Sequence, residues 1–91
     1  MKKLIAVVLI LSVVLTTAAL ADTLFVAAVY GDTNIRKGPG LGYSIIGTLF
    51  RGEAMYFAGS TAVDERGVIW YSVDWYGSVA WVSSAYTEIF Y

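Results

Sequence analysis

Few residue types capable of catalysis occur in this chain. It contains no histidine and no cysteine, so the usual nucleophile–base pairs, the commonest metal ligand and thiolate zinc sites are all missing. Asp64, Glu65 and Asp74 lie near one another in the sequence, and a pair of carboxylates can hydrolyse a glycosidic bond. A domain this small, however, has little room for a cleft that would raise the pKa of one carboxyl group. We therefore expect Asp64, Glu65 and Arg66 to form the solvated tip of a hairpin, and we predict no enzyme activity, no metal and no cofactor.

The glycine-rich segment 38–42 superficially suggests a phosphate-binding loop. Such loops lead into a helix whose free N–H groups face the anion. Here Tyr43 to Ile46 follows, which is typical of a strand, and Pro39 removes one N–H donor. We interpret the segment as a turn.

The glycine positions divide the rest of the chain into short elements. All nine glycines follow residue 30, and they separate apolar runs that are too short for helices. This pattern predicts an all-β fold, a small barrel of five to six short strands. The predicted strands are 24–30, 45–50, 54–58, 69–75, 78–82 and 87–90, joined by a long irregular loop at 31–42, a polar loop at 59–67, a tight turn at 76–77 and a short helical turn at 83–85.

Alternation along each predicted strand assigns its side chains to two faces, because successive residues point in opposite directions. In the strand 69–75, Tyr71 and Val73 are expected to face the core, which turns Trp70, Ser72 and Asp74 outward. The other predicted core residues are Ile35, Ile46, Met55, Phe57, Val82 and Ile89, with Tyr56 facing outward.

Residues 1–21 have the features of a secretory signal peptide. Lys2 and Lys3 precede an apolar run at 4–15, and the segment 19–21 is a small-x-small cleavage signal. We predict a signal-peptide helix that is cleaved before Asp22, which leaves 22–91 as one domain in the periplasm, outside the cell or in the cell envelope. A retained membrane anchor is the alternative, although a helix of twelve residues spans about 18 Å against a hydrocarbon core of about 30 Å. In either case the membrane is contacted only through this segment.

The charge of residues 22–91 argues against polyanionic partners. This part contains four basic and seven acidic residues, which gives a net charge of −3. An acidic surface repels a phosphate backbone, so no binding to nucleic acid is expected.

A spaced series of turn residues and aromatics runs through residues 34–86. The series is Asn34-Ile35-Arg36, Gly38-Pro39-Gly40, Ile46-Gly47-Thr48, Gly52, Trp70-Tyr71-Ser72-Val73, Trp81-Val82 and Tyr86. It resembles the bacterial SH3-like (SH3b) domain family, and the resemblance covers roughly residues 24–90. That family consists mostly of binding modules attached to exported proteins. The resemblance implies a non-catalytic module that recognises peptidoglycan, above all its peptide portion; the alternative is an envelope protein as partner, without glycan binding.

The same resemblance implies a set of ligand-binding residues. In SH3-like domains an outward Trp at the start of the fourth strand and a Tyr after the helical turn border a shallow groove, and here these positions are Trp70 and Tyr86. Tyr43 from the long loop is a candidate third wall, Trp75 lies in the adjacent turn, and Arg36 is a candidate partner for a peptide carboxylate. The structural alternatives remain open: the aromatics would then be half-buried caps on the barrel, and Arg36 would brace the long loop.

Overall fold

The computed structural model describes residues 23–91. The predicted signal-peptide helix, its cleavage position and the domain start at residue 22 lie outside the described residues. Within 23–91, no helix is long and apolar enough to cross a membrane.

The described part of the chain folds into seven strands, and all of the strand pairs are antiparallel. Their order in the sheet is β3-β2-β6-β5-β4-β1-β7. The predicted all-β architecture is therefore confirmed. The strands are β1 (Phe25–Ala28), β2 (Thr33–Arg36), β3 (Ile45–Leu49), β4 (Ala54–Val63), β5 (Ile69–Trp75), β6 (Ser78–Ser83) and β7 (Thr87–Phe90).

One buried cluster shows that the sheet curls around its core. Leu49 comes from β3 at one end of the strand order, whereas Val26 and Ala28 come from β1, next to the other end. All three belong to one cluster of buried side chains, which a flat sheet could not bring together. The remaining buried members are Ile35, Val73, Ala80 and Val82, with Ile46, Met55, Phe57, Tyr71, Trp75 and Ile89 packed against them.

Strand β4 is longer than predicted and reaches into the segment expected to be a polar loop. Gly59 has a φ of 100°, and the pairing register shifts between Phe57 and Thr61. Such a bulge bends a strand without ending it. The Ser60 N–H donates to the Ser72 hydroxyl at 2.8 Å, and Ser72 is fully buried. The prediction that Ser72 faces outward is therefore wrong, because alternation within one strand takes no account of the bulge that covers it.

Strand β2 lies inside the segment predicted to be one long irregular loop. Thr33 and Ile35 are buried, Asn34 is exposed, and the strand pairs with β3 and β6. Its polar residues conceal the alternation in the sequence. Between β6 and β7, a hydrogen-bonded turn at 84–86 takes the place of the predicted helical turn.

Two valines test how far stability depends on this core. Val73 is fully buried, so Val73→Ala should lower the free energy of unfolding by about 2–3 kcal/mol through lost burial and a residual cavity. Val63 is exposed, and Val63→Ala should change stability by no more than about 0.5 kcal/mol. Denaturant unfolding of both variants measures the difference. Equal losses would contradict the assignment of the core.

Candidate functional site

Two grooves of different chemistry are present in the described part of the chain. The first, which we call the arginine groove, has a volume of about 330 Å³. The second, which we call the aromatic groove, has a volume of about 530 Å³. The arginine groove is lined by Asp32, Thr33, Asn34, Arg36, Leu41, Arg66, Val68, Trp70, Ser83, Ala85 and Tyr86. The aromatic groove is lined by Ile35, Thr48, Leu49, Glu53, Ala54, Met55, Tyr56, Asp74, Trp75 and Tyr76.

Trp70 forms part of the floor of the arginine groove. Trp70 lies outside the core cluster, but its side chain is only 2% exposed, so the prediction of an exposed outward-facing ring is wrong. The indole Nε1–H donates to Asp64 Oδ2 at 2.9 Å, which ties β5 to the turn at 64–67. Because the indole is covered, Trp70 supports the groove and offers no open face on which a ligand could stack.

Asp64 is the centre of a hydrogen-bond network and is not part of a solvated tip. Its side chain is 6% exposed. Besides the Trp70 indole, it accepts bonds from Arg66 Nε and Nη2 at 3.1 and 2.6 Å and from the backbone N–H groups of Arg66 and Val68 at 2.8 and 3.0 Å. The Trp70 bond, with the bonds from Arg66 and Val68, outweighs the opposing effect of desolvation and holds the pKa of Asp64 far below its usual range. This shift is opposite to the one that a catalytic acid requires.

Arg36 both braces the long loop and contributes to the groove. Its Nη1 donates to the carbonyl oxygens of Tyr43 at 2.9 Å and Leu41 at 3.3 Å, the bracing role that the structural alternative expected. No carboxylate among residues 23–91 lies within ion-pair distance of Arg36. Its other N–H donors make no hydrogen bond within the described residues, so they are available to a ligand.

Tyr86 presents its ring at the rim of the arginine groove. Its backbone carbonyl accepts bonds from the N–H groups of Val29 and Tyr30 at 2.9 and 3.1 Å, which fixes the residue, while its side chain is 48% exposed. The structure thus places three of the predicted site residues, Arg36, Trp70 and Tyr86, in one groove.

Tyr43 lies beside the arginine groove and does not line it. Its ring packs over Gly38, where an added Cβ would lie 2.3 Å from Tyr43 Cδ1. The exposed part of the ring lines a neighbouring depression of about 310 Å³, which shares Leu41 and Arg66 with the arginine groove. Tyr43, the residue expected to form a third wall, therefore lies next to the arginine groove and lines the neighbouring depression instead.

Trp75 lines the other groove. Its ring packs over Gly47, where an added Cβ would lie 2.4 Å from Trp75 Cη2, and it meets the Tyr76 ring at a centroid distance of 4.8 Å. The two grooves share no lining residue. The structure thus separates Trp75 from Trp70 and Tyr86.

Arg66 is a lining residue of the arginine groove that the sequence did not reveal as part of a site. It was expected only at a solvated hairpin tip, and no sequence pattern connects it with Arg36. Its guanidinium is paired with Asp64, so Arg66 contributes a partly compensated charge. Residues 23–91 contain no group of three or more carboxylates that could hold a metal ion.

Comparison with known proteins identifies the family. The model of the bacterial SH3 domain family matches residues 31–88, which is more than half of the chain. The chain therefore belongs to the bacterial SH3 domain family, and the resemblance expected from the sequence is confirmed. The match includes β2 to β6, the first two residues of β7 and every residue that lines the two grooves. Since this is a family of binding domains, binding is favoured over catalysis.

A curated relative adds a second, partial likeness. Over 61 residues the chain is 36% identical to serine/threonine-protein kinase D of Synechocystis sp., in a match that covers 65% of this chain and 12% of the kinase. The chain thus spans about an eighth of that relative's length. A likeness of this extent gives no information on phosphoryl transfer. No solved structure gives a significant match.

The low pKa of Asp64 predicts a specific loss of stability in acid. A carboxylate whose pKa is lower in the folded than in the unfolded state stabilises the protein above its unfolded pKa of about 4, and this contribution is lost as the pH falls towards the folded value. The thermal unfolding temperature of the wild type should therefore fall when the pH is lowered below about 4. Asp64→Asn should lower stability at neutral pH and remove much of this acid dependence. Glu65→Gln, at the exposed neighbouring position, should retain the wild-type profile. An Asp64→Asn profile parallel to that of the wild type would show that other groups cause the loss.

Gly38 and Gly42 provide a matched test of the loop that carries Tyr43. Gly38→Ala places a methyl group against the Tyr43 ring, so the ring must move and stability should fall by about 1–3 kcal/mol. Gly42 has no atom within 4 Å of an added Cβ, and Gly42→Ala should leave stability nearly unchanged. Thermal unfolding and the ring resonances of Tyr43 report the two effects. An unmoved ring in Gly38→Ala would refute the packing described here.

Proposed function

We propose that this chain is an exported, non-catalytic binding module of the cell envelope, and that its arginine groove binds the peptide portion of peptidoglycan. Three observations support the proposal. The family is one of binding domains, residues 1–21 have the pattern of a secretory signal, and the groove combines guanidinium groups with an exposed tyrosine ring.

The observation that carries the proposal is the position of the Arg36 guanidinium. Its two bonds to loop carbonyls hold it in place, so less side-chain entropy is lost when a ligand binds. Peptide stems carry free carboxylates, and the planar guanidinium group matches their geometry. Asp32 also lines the groove, but its Oδ1 accepts a bond from the Arg51 N–H at 2.8 Å. Arg36 is therefore the principal partner proposed for a ligand carboxylate.

The aromatic residues have different roles in this proposal. Tyr86 contacts the extended peptide with its exposed ring and hydroxyl group, as such rings do in many peptide grooves. Trp70 acts indirectly, because its buried indole supports the floor. Tyr43 and the neighbouring depression would contact only a ligand that extends beyond the groove.

Retention on purified peptidoglycan tests the proposal. Arg36→Gln should weaken binding about tenfold or more, because a charge-assisted hydrogen bond is worth roughly 1.5–3 kcal/mol. Arg51→Gln is the matched control, since Arg51 is exposed and lines neither groove; it should bind like the wild type. Free stem peptides should compete for binding, and glycan strands stripped of peptide should not.

Two results would reject this assignment. Equal weakening by Arg36→Gln and Arg51→Gln would indicate unspecific charge attraction. No retention on peptidoglycan, with retention of a protein from envelope extracts, would instead favour the alternative of a protein-interaction module. Thermal unfolding of each variant separates lost binding from lost folding.

A further inference from the structure

The aromatic groove differs from the arginine groove in its chemistry. Three aromatic side chains, Tyr56, Trp75 and Tyr76, line it together with the carboxylates of Glu53 and Asp74. No lysine or arginine is among its lining residues. It is therefore a concave surface with aromatic walls and negative charge.

Two of the rings form a corner. The planes of Trp75 and Tyr76 are inclined by 80°, with their centroids 4.8 Å apart, so their faces are nearly perpendicular walls. Trp75 is held by close packing on Gly47. Tyr76, in contrast, is 90% exposed, so its face is open to a ligand. Perpendicular aromatic faces are a common way to surround a cation, because the face of each ring is its negative side.

The backbone at Tyr76 is unusual for such a residue. Tyr76 has a φ of 51° and is followed by Gly77 with a φ of 84°, as in the tight two-residue hairpin turn that favours Asn-Gly. A bulky residue in the left-handed region is uncommon and strained. The turn thus holds a large exposed ring where a small residue would be more stable, which is typical of a position with a role in binding.

The two carboxylates are fixed but uncompensated. Asp74 Oδ1 accepts a bond from the Gly77 N–H at 3.1 Å, and Glu53 Oε1 accepts one from the Phe50 N–H at 2.9 Å. Both side chains are thereby oriented by the backbone. Among residues 23–91, neither carboxylate has a lysine or arginine within ion-pair distance.

From these features we infer that the aromatic groove is a second binding site, and that it takes the ammonium group of a lysine side chain on an extended basic peptide. The ammonium group lies in the corner of Trp75 and Tyr76, where ring faces and the Asp74 carboxylate attract it. The alkyl stem packs along the apolar side chains of the groove, including Met55. Glu53 attracts a second basic residue of the peptide. This site does not depend on the arginine groove, since the two have no lining residue in common.

The test uses the purified protein and short capped peptides. A peptide with two lysines separated by alanine is titrated against the protein and compared with peptides that carry norleucine or acetyl-lysine at the same positions. Binding is followed by calorimetry and by the indole N–H resonance of Trp75. We expect only the lysine peptide to bind, with an affinity that falls as salt is added.

Two conservative variants locate the site. Asp74→Asn retains an acceptor for the Gly77 N–H but removes the charge. Tyr76→Asn removes the ring and suits the left-handed turn, so it should fold at least as well as the wild type. Each should weaken lysine-peptide binding about threefold to tenfold. The matched controls, Glu65→Gln and Tyr91→Asn at exposed positions outside the groove, should bind like the wild type.

Several outcomes would overturn the inference. They are absence of lysine-peptide binding at millimolar concentration, equal binding of the norleucine peptide, and equal weakening by Glu65→Gln and Asp74→Asn. Loss of lysine-peptide binding in Arg36→Gln would place the ligand in the arginine groove. Because peptidoglycan retention and lysine-peptide binding are measured on different variants, failure of one proposal leaves the other standing.

Discussion

The hydrogen bond between the Trp70 indole and the Asp64 carboxylate is the interaction on which the candidate site depends. It joins a central strand, β5, to the turn that follows β4, and it does so in a nearly solvent-free position. The same carboxylate orients Arg66 and closes the turn through two backbone N–H groups. The Asp64 side chain thus fixes both Trp70, in the floor of the arginine groove, and Arg66, which also lines that groove. In a chain without disulfides, such a network is one of the few available ways to hold a surface loop in a defined position.

The domain presents two grooves of opposite character on one curled sheet. The arginine groove contains Arg36, a cation without a carboxylate partner among the described residues. The aromatic groove contains two carboxylates without a cationic partner. A small acidic domain can therefore discriminate between ligands by charge and by contact with aromatic rings. This capacity is what a family of binding modules requires, and it favours binding over catalysis.

Much of the fold could be predicted from the sequence, because glycines and alternation mark the strands. β5 and β7 have the predicted bounds, and Met55 and Phe57 pack inward with Tyr56 exposed, as expected. β2 is not evident in the sequence because it has only four residues and one of its two buried side chains, Thr33, is polar, which hides the alternation. The length of β4 was missed because Gly59 was interpreted as the start of a loop, whereas it permits a bulge.

The candidate site was less predictable, because its geometry depends on contacts between segments that are distant in sequence. The alternation of side chains along β5 predicts the face of the strand on which Trp70 lies. It does not predict which other segment of the chain covers that face. Tyr43 is turned aside by its packing on Gly38, a property of the path of the loop. The separation of Trp75 from Trp70 is in principle predictable from the sequence, since residues five apart on one strand point to opposite faces. The family resemblance implies a groove at Trp70 and Tyr86, and it does not imply the aromatic groove.

The central claim is that stem peptides of peptidoglycan occupy the arginine groove. Chemical-shift mapping tests it most directly, since the indole N–H groups of Trp70 and Trp75 report the two grooves separately. On titration with a soluble stem peptide, the resonances of the Trp70 indole, the Arg36 Nε–H and Tyr86 should shift together, while the Trp75 indole stays in place. Shifts confined to Trp75, or no shift at any of these groups, would contradict the claim.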